Sequence, residues 1–246
     1  MIRIGTSGWK YPEWRGDFYP RGLVQRRELE FLAGRVDTIE INGTFYSLRR
    51  PEHFRSWAAQ TPPDFVFAVK GIREVTHVRR LRGVEESLRR FFESGVRELG
   101  PRLGPILWQL PSRSAFDPTA TADFLALLDP SMRHALEVRH ESFRCDDFFA
   151  LARRHNVAVV YSDGGGRWPL FDVTTADFSY IRLHGAEELY ISGYSDHELA
   201  AWADRVADLD DVFVYFDNTM RGRAPRDAMT LAALVRDRRR RRKMRP

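Results

Sequence analysis

Residues 37–42 read DTIEIN, and the alternation inside those six residues decides the fold. Successive side chains of a strand point to opposite faces, so Ile39 and Ile41 share one face while Thr38, Glu40 and Asn42 share the other. A buried parallel strand is expected to be apolar on both faces. Here one face is polar and carries a carboxylate. The pattern returns in FVFAVK, ALEVR, SYIRLH and VFVYFD, which end in Lys70, Arg139, His184 and Asp217. In each, one face stays apolar and the other turns polar toward the C-terminal end.

Working outward from these runs, β-rich segments recur at 2–5, 37–42, 65–70, 105–110, 134–139, 157–162, 179–184 and 212–217. Amphipathic stretches with helical spacing separate them, among them PEHFRSWAAQ, VEESLRRFFESGVREL and DHELAAWADRVADL. Only GGGRWPLFDVTTAD, between the sixth and seventh runs, lacks a helical pattern. Strand–helix alternation implies parallel strands joined by right-handed crossovers. Eight such units in 246 residues predict a single-domain α/β fold, a TIM (β/α)8-type barrel, with a doubly wound sheet as the competing arrangement. No linker divides the chain, so residues 1–235 are read as the barrel and 236–246 as a basic, disordered tail.

Composition supports that division. The last eleven residues, RDRRRRRKMRP, carry a net charge of +7 against +5 for the whole chain, leaving the barrel slightly acidic. A route to nucleic acid would therefore run through Arg238, Arg239, Arg240, Arg241 and Arg242. The single cysteine, Cys145, allows no internal disulfide. No apolar run approaches the roughly 18 residues of a membrane span. A soluble, cytoplasmic protein without a membrane partner is expected. The sequence does not fix the oligomeric state.

The polar faces, gathered at the C-terminal end of a barrel, predict a ring of Glu40, Asn42, Lys70, Gln109, Glu137, Arg139, Arg182, His184 and Asp217. Active sites of such barrels sit at that end. Glu40, Glu137 and His184 are the candidate catalytic acid–base groups. Arg139 would hold Glu137 ionised, leaving Glu40 the better candidate for a general acid. Lys70, Arg139 and Arg182 would hold an anion, joined by Asn42, Gln109 and Asp217 as further substrate contacts. The alternative is that these groups pair among themselves as a satisfied polar core. No HxH, HExxH or cysteine pair is present, and neither a metal nor a cofactor is expected.

Several stretches together carry a family resemblance: GTSGW, WRGDFYP, EINGTFY, FVFAVKG, LGPILWQLP, EVRHESF, YIRLHG and YFDN. In this order, from Gly5 to about Ala228, the chain resembles the domain of unknown function 72 family, also called YecE-like. The resemblance implies a TIM barrel and carries over no particular activity or catalytic residue. The sequence departs from the family pattern at Phe143, where Trp is the usual residue, and in its run Gly164-Gly165-Gly166.

The long loop after the first strand, GTSGWKYPEWRGDFYP, is rich in aromatics and begins where a barrel rim would be. Trp9 and Trp14 are read as substrate contacts, whereas Phe18, Tyr19 and Phe45 are read as packing. The expected function is a metal-independent enzyme of hydrolase or lyase type, acting on a small polar or phosphorylated anion at the barrel mouth. The competing expectations are a nucleic-acid-binding barrel and a non-catalytic binding or scaffold protein.

Overall fold

The computed structural model describes residues 1–243. Nine strands form one sheet: β1 (Ile2–Ser7), β2 (Thr38–Ile41), β3 (Val66–Lys70), β4 (Leu103–Gln109), β5 (His134–Glu137), β6 (Val157–Val159), β7 (Tyr161–Asp163), β8 (Ser179–Leu183) and β9 (Val212–Phe216). Their hydrogen-bonded order is β6-β5-β4-β3-β2-β1-β9-β8-β7, and every pair is parallel. The strands at the two ends of that order, β6 and β7, are halves of one run of chain interrupted at Val160. The first half pairs with β5 and the second with β8, so this run joins the two ends of the sheet and closes the ring. The expected eight-stranded barrel is present, with its sixth strand broken in two.

Inside and outside follow the sequence alternation. Ala68, Leu107, Ala135, Ala158, Tyr180 and Tyr215 belong to one apolar cluster in the barrel interior. Ile39, Ile41, Val69, Trp108, Leu136 and Val214 belong to the larger cluster beneath the helices. The small interior residues leave room for the long ones to cross the barrel. Gly5 is required for a different reason: a Cβ there would lie 1.7 Å from the Thr38 carbonyl oxygen of the adjacent strand.

The longer helices are α3 (Pro51–Ala59), α4 (Glu85–Glu93), α5 (Pro118–Ala126), α6 (Asp146–Arg154), α7 (Asp196–Ala207) and α8 (Arg223–Lys243); α1 (Glu28–Ala33) and α2 (Gly43–Tyr46) are short. Local chemistry marks their starts. The Asp117 carboxylate accepts from the Ala120 N–H, and Pro118 opens α5 without a donor to satisfy. Ser195 and Glu198 cap α7 reciprocally. The stretch between β7 and β8 holds no helix, as its sequence suggests. Among the described residues no helix is long and apolar enough to cross a membrane.

Two expectations change. Residues 236–243 are not a disordered extension but the last turns of α8, with Arg238 on Asp204 and Arg242 on Asp208. Aspartates facing that side of the helix give its arginines partners that a solvated tail would lack. Met244, Arg245 and Pro246 lie outside the described residues. The second change concerns Trp14, which is not a ligand contact at the rim. Its side chain is completely buried, and its indole N–H donates to the Thr219 carbonyl at 2.7 Å. Tyr11, Phe18 and Tyr19 surround it, and Phe18 and Tyr19 pack on Phe31 of α1. The aromatic loop is therefore largely an internal core of its own.

Candidate active site

At the C-terminal end of the barrel the inward residues meet across its axis. Arg182, on β8, is the centre. Its Nε donates to Glu40 Oε2 at 3.1 Å and its Nη2 to Glu40 Oε1 at 2.8 Å, a side-on pair with both carboxylate oxygens engaged. Its Nη1 reaches Glu137 Oε2 at 2.8 Å, and its Nη2 also contacts Asp217 Oδ2 at 3.1 Å. Three carboxylates from β2, β5 and the end of β9 thus share one guanidinium, which is 1% exposed.

Glu40 and Glu137 accept further bonds. Ser7 and Tyr180 donate to Glu40 at 2.8 and 2.6 Å. Glu137 accepts from Arg139 at 2.7 Å and from Ser162 at 3.0 Å. Glu40 is consequently a clamped structural carboxylate and not the free general acid expected from the sequence. Arg182 is likewise saturated by the protein and has little left to offer an anion. The positions of both were legible; their pairing was not. A cation bound by these carboxylates would have to displace Arg182, which already occupies the space between them.

His184 sits against this network, fully buried. Its Nε2 is 3.1 Å from Ser162 Oγ and 3.6 Å from Glu137 Oε1. Its Nδ1 lies 3.0 Å from Asp217 Oδ2, in contact but off the line of a hydrogen bond. Trp168 and Tyr190 stand edge-on to the imidazole at 5.2 and 5.5 Å. The Arg139 guanidinium lies 3.9 Å from the centre of the Trp168 ring. Burial alone would push the Glu137 and Asp217 carboxyls up. Arg139 and Arg182 instead hold Glu137 well below the usual carboxylate range, and Arg182 and His184 do the same for Asp217.

That direction fixes a pH dependence. Both carboxylates are harder to protonate folded than unfolded, so their stabilisation is complete above the unfolded values, roughly pH 4, and is lost as pH falls through the folded ones. The urea midpoint should fall steadily below about pH 5. In Glu137→Gln it should start lower at neutral pH and fall less steeply; an equally steep fall would remove Glu137 as a source of acid sensitivity.

Lys70 differs from the other cations. Its ammonium donates to Gln109 Oε1 at 2.7 Å and lies 4.6 Å from the Phe45 ring centre, and it makes no ion pair among the described residues. Burial, and then the positive charge of Arg182, pull it down to about 8. Beside it His77, packed on Phe45, is pushed down to about 4 by burial and by Lys70, Arg73, Arg139 and Arg113. Positive charge is thus concentrated on the β3–β5 side of the mouth. Arg139 on that side and Asp217 at the end of β9 keep 10% and 14% exposure.

The other expected contacts separate from this group. Asn42 and Trp9 line a different pocket, bounded by the β1 loop and α3. Of the arginines near the C-terminus, Arg238, Arg241 and Arg242 pair with Asp204, Asp237 and Asp208. Ser7, which the sequence explains as turn chemistry, and Ser162 are not among the expected site residues but join the network. Each continues the inward phase of its own strand, so the alternation that found Glu40 also points to them.

With this geometry in place, comparison with known proteins gives the relationship. A family model described as "Protein of unknown function DUF72" matches residues 3–246. The chain belongs to the DUF72 family. It is 32% identical to UPF0759 protein YecE of Escherichia coli (strain K12) over 146 residues, 58% of this chain and 50% of that protein. The match thus spans about half the length of the curated relative. A DUF72 family protein from Thermotoga maritima superposes with a TM-score of 0.82 at 28% identity, covering 96% of this chain and 99% of the other. Another from Enterococcus faecalis gives 0.80 at 17% identity, over 96% of each chain, a likeness of fold alone. The resemblance read from the sequence is therefore correct in family and in architecture.

Proposed function

We propose that this DUF72 barrel is an enzyme of hydrolase or lyase type that binds a small polar anion at its C-terminal mouth, with Lys70 as the group that meets it. The observation that carries this reading is the Lys70 ammonium, half-buried beside Gln109 and Phe45 without a carboxylate partner among the described residues. Every carboxylate in the network is taken by Arg182, Arg139 or His184. An anion at Lys70 would supply the missing counter-charge, with Arg73 and Arg113 adding attraction from the rim. An amine drawn down to about 8 also exchanges its proton readily near neutrality, which suits acid–base chemistry. Asp217 and His184 would orient the substrate from the opposite side of the mouth.

The saturation of Glu40 and Arg182 favours a second reading, a binding barrel without turnover. The two share the anion and differ in what Lys70 does with its proton. Inorganic phosphate at a hundredfold excess over its Kd should stabilise the native protein by about 2.7 kcal/mol and raise its Tm. Lys70→Met should show no such rise, and its Tm without phosphate should be unchanged or higher, because a half-buried charge is removed. An equal rise in both proteins would reject Lys70 as the anion contact. Lysine acetylation followed by mass spectrometry then tests the proton: Lys70 should react with a midpoint near 8, against roughly 10.4 for lysine in a model peptide. A Lys70 midpoint at the model-peptide value would leave the binding barrel as the better reading.

A further inference from the structure

The pocket that Trp9 and Asn42 share lies beside the barrel mouth and does not include Lys70. It has a volume of about 350 Å³ and is walled by the β1 loop from Gly8 to Tyr11, the end of β2 from Ile41 to Gly43, and Arg49, His53 and Trp57. That is within the size range of small-molecule sites. Its walls are aromatic. Trp9 and Trp57 meet edge to face at 5.4 Å, and the His53 ring stacks on Trp57 at 6.1 Å with 26° between the planes.

The charge lining it has one sign. Lys10 and Arg49 are present, and no Asp or Glu lines the pocket. Neither Lys10 nor Arg49 forms an ion pair among the described residues. Arg49 is fixed in place by its Nη2, which donates to the Gly43 carbonyl at 3.0 Å. Gly43 permits this approach, because a Cβ there would lie 2.9 Å from that nitrogen. A second observation comes from the same wall: the Asn42 Oδ1 and the Arg49 Nε are buried without a hydrogen-bond partner. Folded proteins leave few such groups unmet.

We propose that this pocket is a separate binding site for a flat heteroaromatic ring carrying a phosphate, the chemistry of a nucleoside monophosphate. The ring would stack on the indole and imidazole faces, and the phosphate would lie against Lys10 and Arg49. The polar edge of the ring would answer Asn42. This inference does not depend on the role given to Lys70.

Calorimetric titration of the full chain with AMP, adenosine and ribose 5-phosphate tests it. AMP should bind at least about tenfold more tightly than either of the others, because each lacks one half of the recognised chemistry. A Lys10→Ala, Arg49→Gln variant should lose at least about tenfold in AMP affinity with its Tm unchanged, and Lys70→Met should keep the native affinity. Trp57→Leu, which keeps a half-buried apolar side chain, should weaken AMP and leave ribose 5-phosphate unaffected. Failure of AMP to bind would overturn the proposal. So would equal binding of adenosine and AMP, or AMP binding that survives in the Lys10, Arg49 variant and disappears in Lys70→Met.

Discussion

Replacing Arg182 with Met will destabilise the barrel by about 3–5 kcal/mol and will reverse the sign of its pH dependence. The side chain is buried with Glu40, Glu137 and Asp217 around it. Removing it leaves three carboxylates facing one another, two of them out of reach of water, which is the costly way to break a buried ion network. The protein can relieve this by taking up protons. Carboxyls held low in the native barrel would then be raised above their unfolded values. Their contribution would be greatest below roughly pH 4 and would be lost as pH rises through the folded values. Urea unfolding across the acid range reads this directly. The native protein should gain stability as pH rises, whereas Arg182→Met should lose it. Arg182→Lys keeps the charge but not the two-pronged pairing with Glu40, so it should fall between the two. A variant that keeps the native slope would show that Arg182 does not hold these carboxylates ionised.

The second large effect lies in the loop after β1. Trp14→Ala should cost about 3–5 kcal/mol, the range for removing a large aromatic from a packed core. The side chain is completely buried among Tyr11, Phe18 and Tyr19, and it ties this loop to the one after β9 through Thr219. Trp14→Phe should cost less, since it keeps most of the packing and loses the indole N–H. The urea midpoint should drop accordingly without a change in the dependence on denaturant. A loss below about 1 kcal/mol would mean that the loop is a cover and not part of the core.

The barrel and the inward direction of its polar residues were readable because both depend on local periodicity. Period-2 alternation assigned Glu40, Lys70, Glu137, Arg182 and Asp217 to one face without reference to any other strand. The reading failed where the next step was radial. Glu40 and Arg182 are 142 positions apart in sequence, and nothing in either strand says that the guanidinium reaches across the barrel to the carboxylate. The break at Val160 was hidden for a related reason. Strand propensity runs unbroken through residues 157–162, but a single run that bonds β5 at one end and β8 at the other must turn between them. Trp14 misled because aromatic content is the same whether a loop lines a mouth or forms a core.

The sequence by itself determined the class of fold, the order of its strands and the inward face of each strand. These follow from hydrogen-bonded periodicity and from the need to bury one face of every element, which act within a few residues. The tertiary structure alone decided which charges cancel. Arg182 is consumed by carboxylates from distant strands and Arg139 by Glu137 of its own, Lys70 is left without one among the described residues, and Trp9 joins Arg49 and Trp57 in a second pocket. Coulomb energy depends on separation in space and on the loss of solvent, and neither is encoded in spacing along the chain.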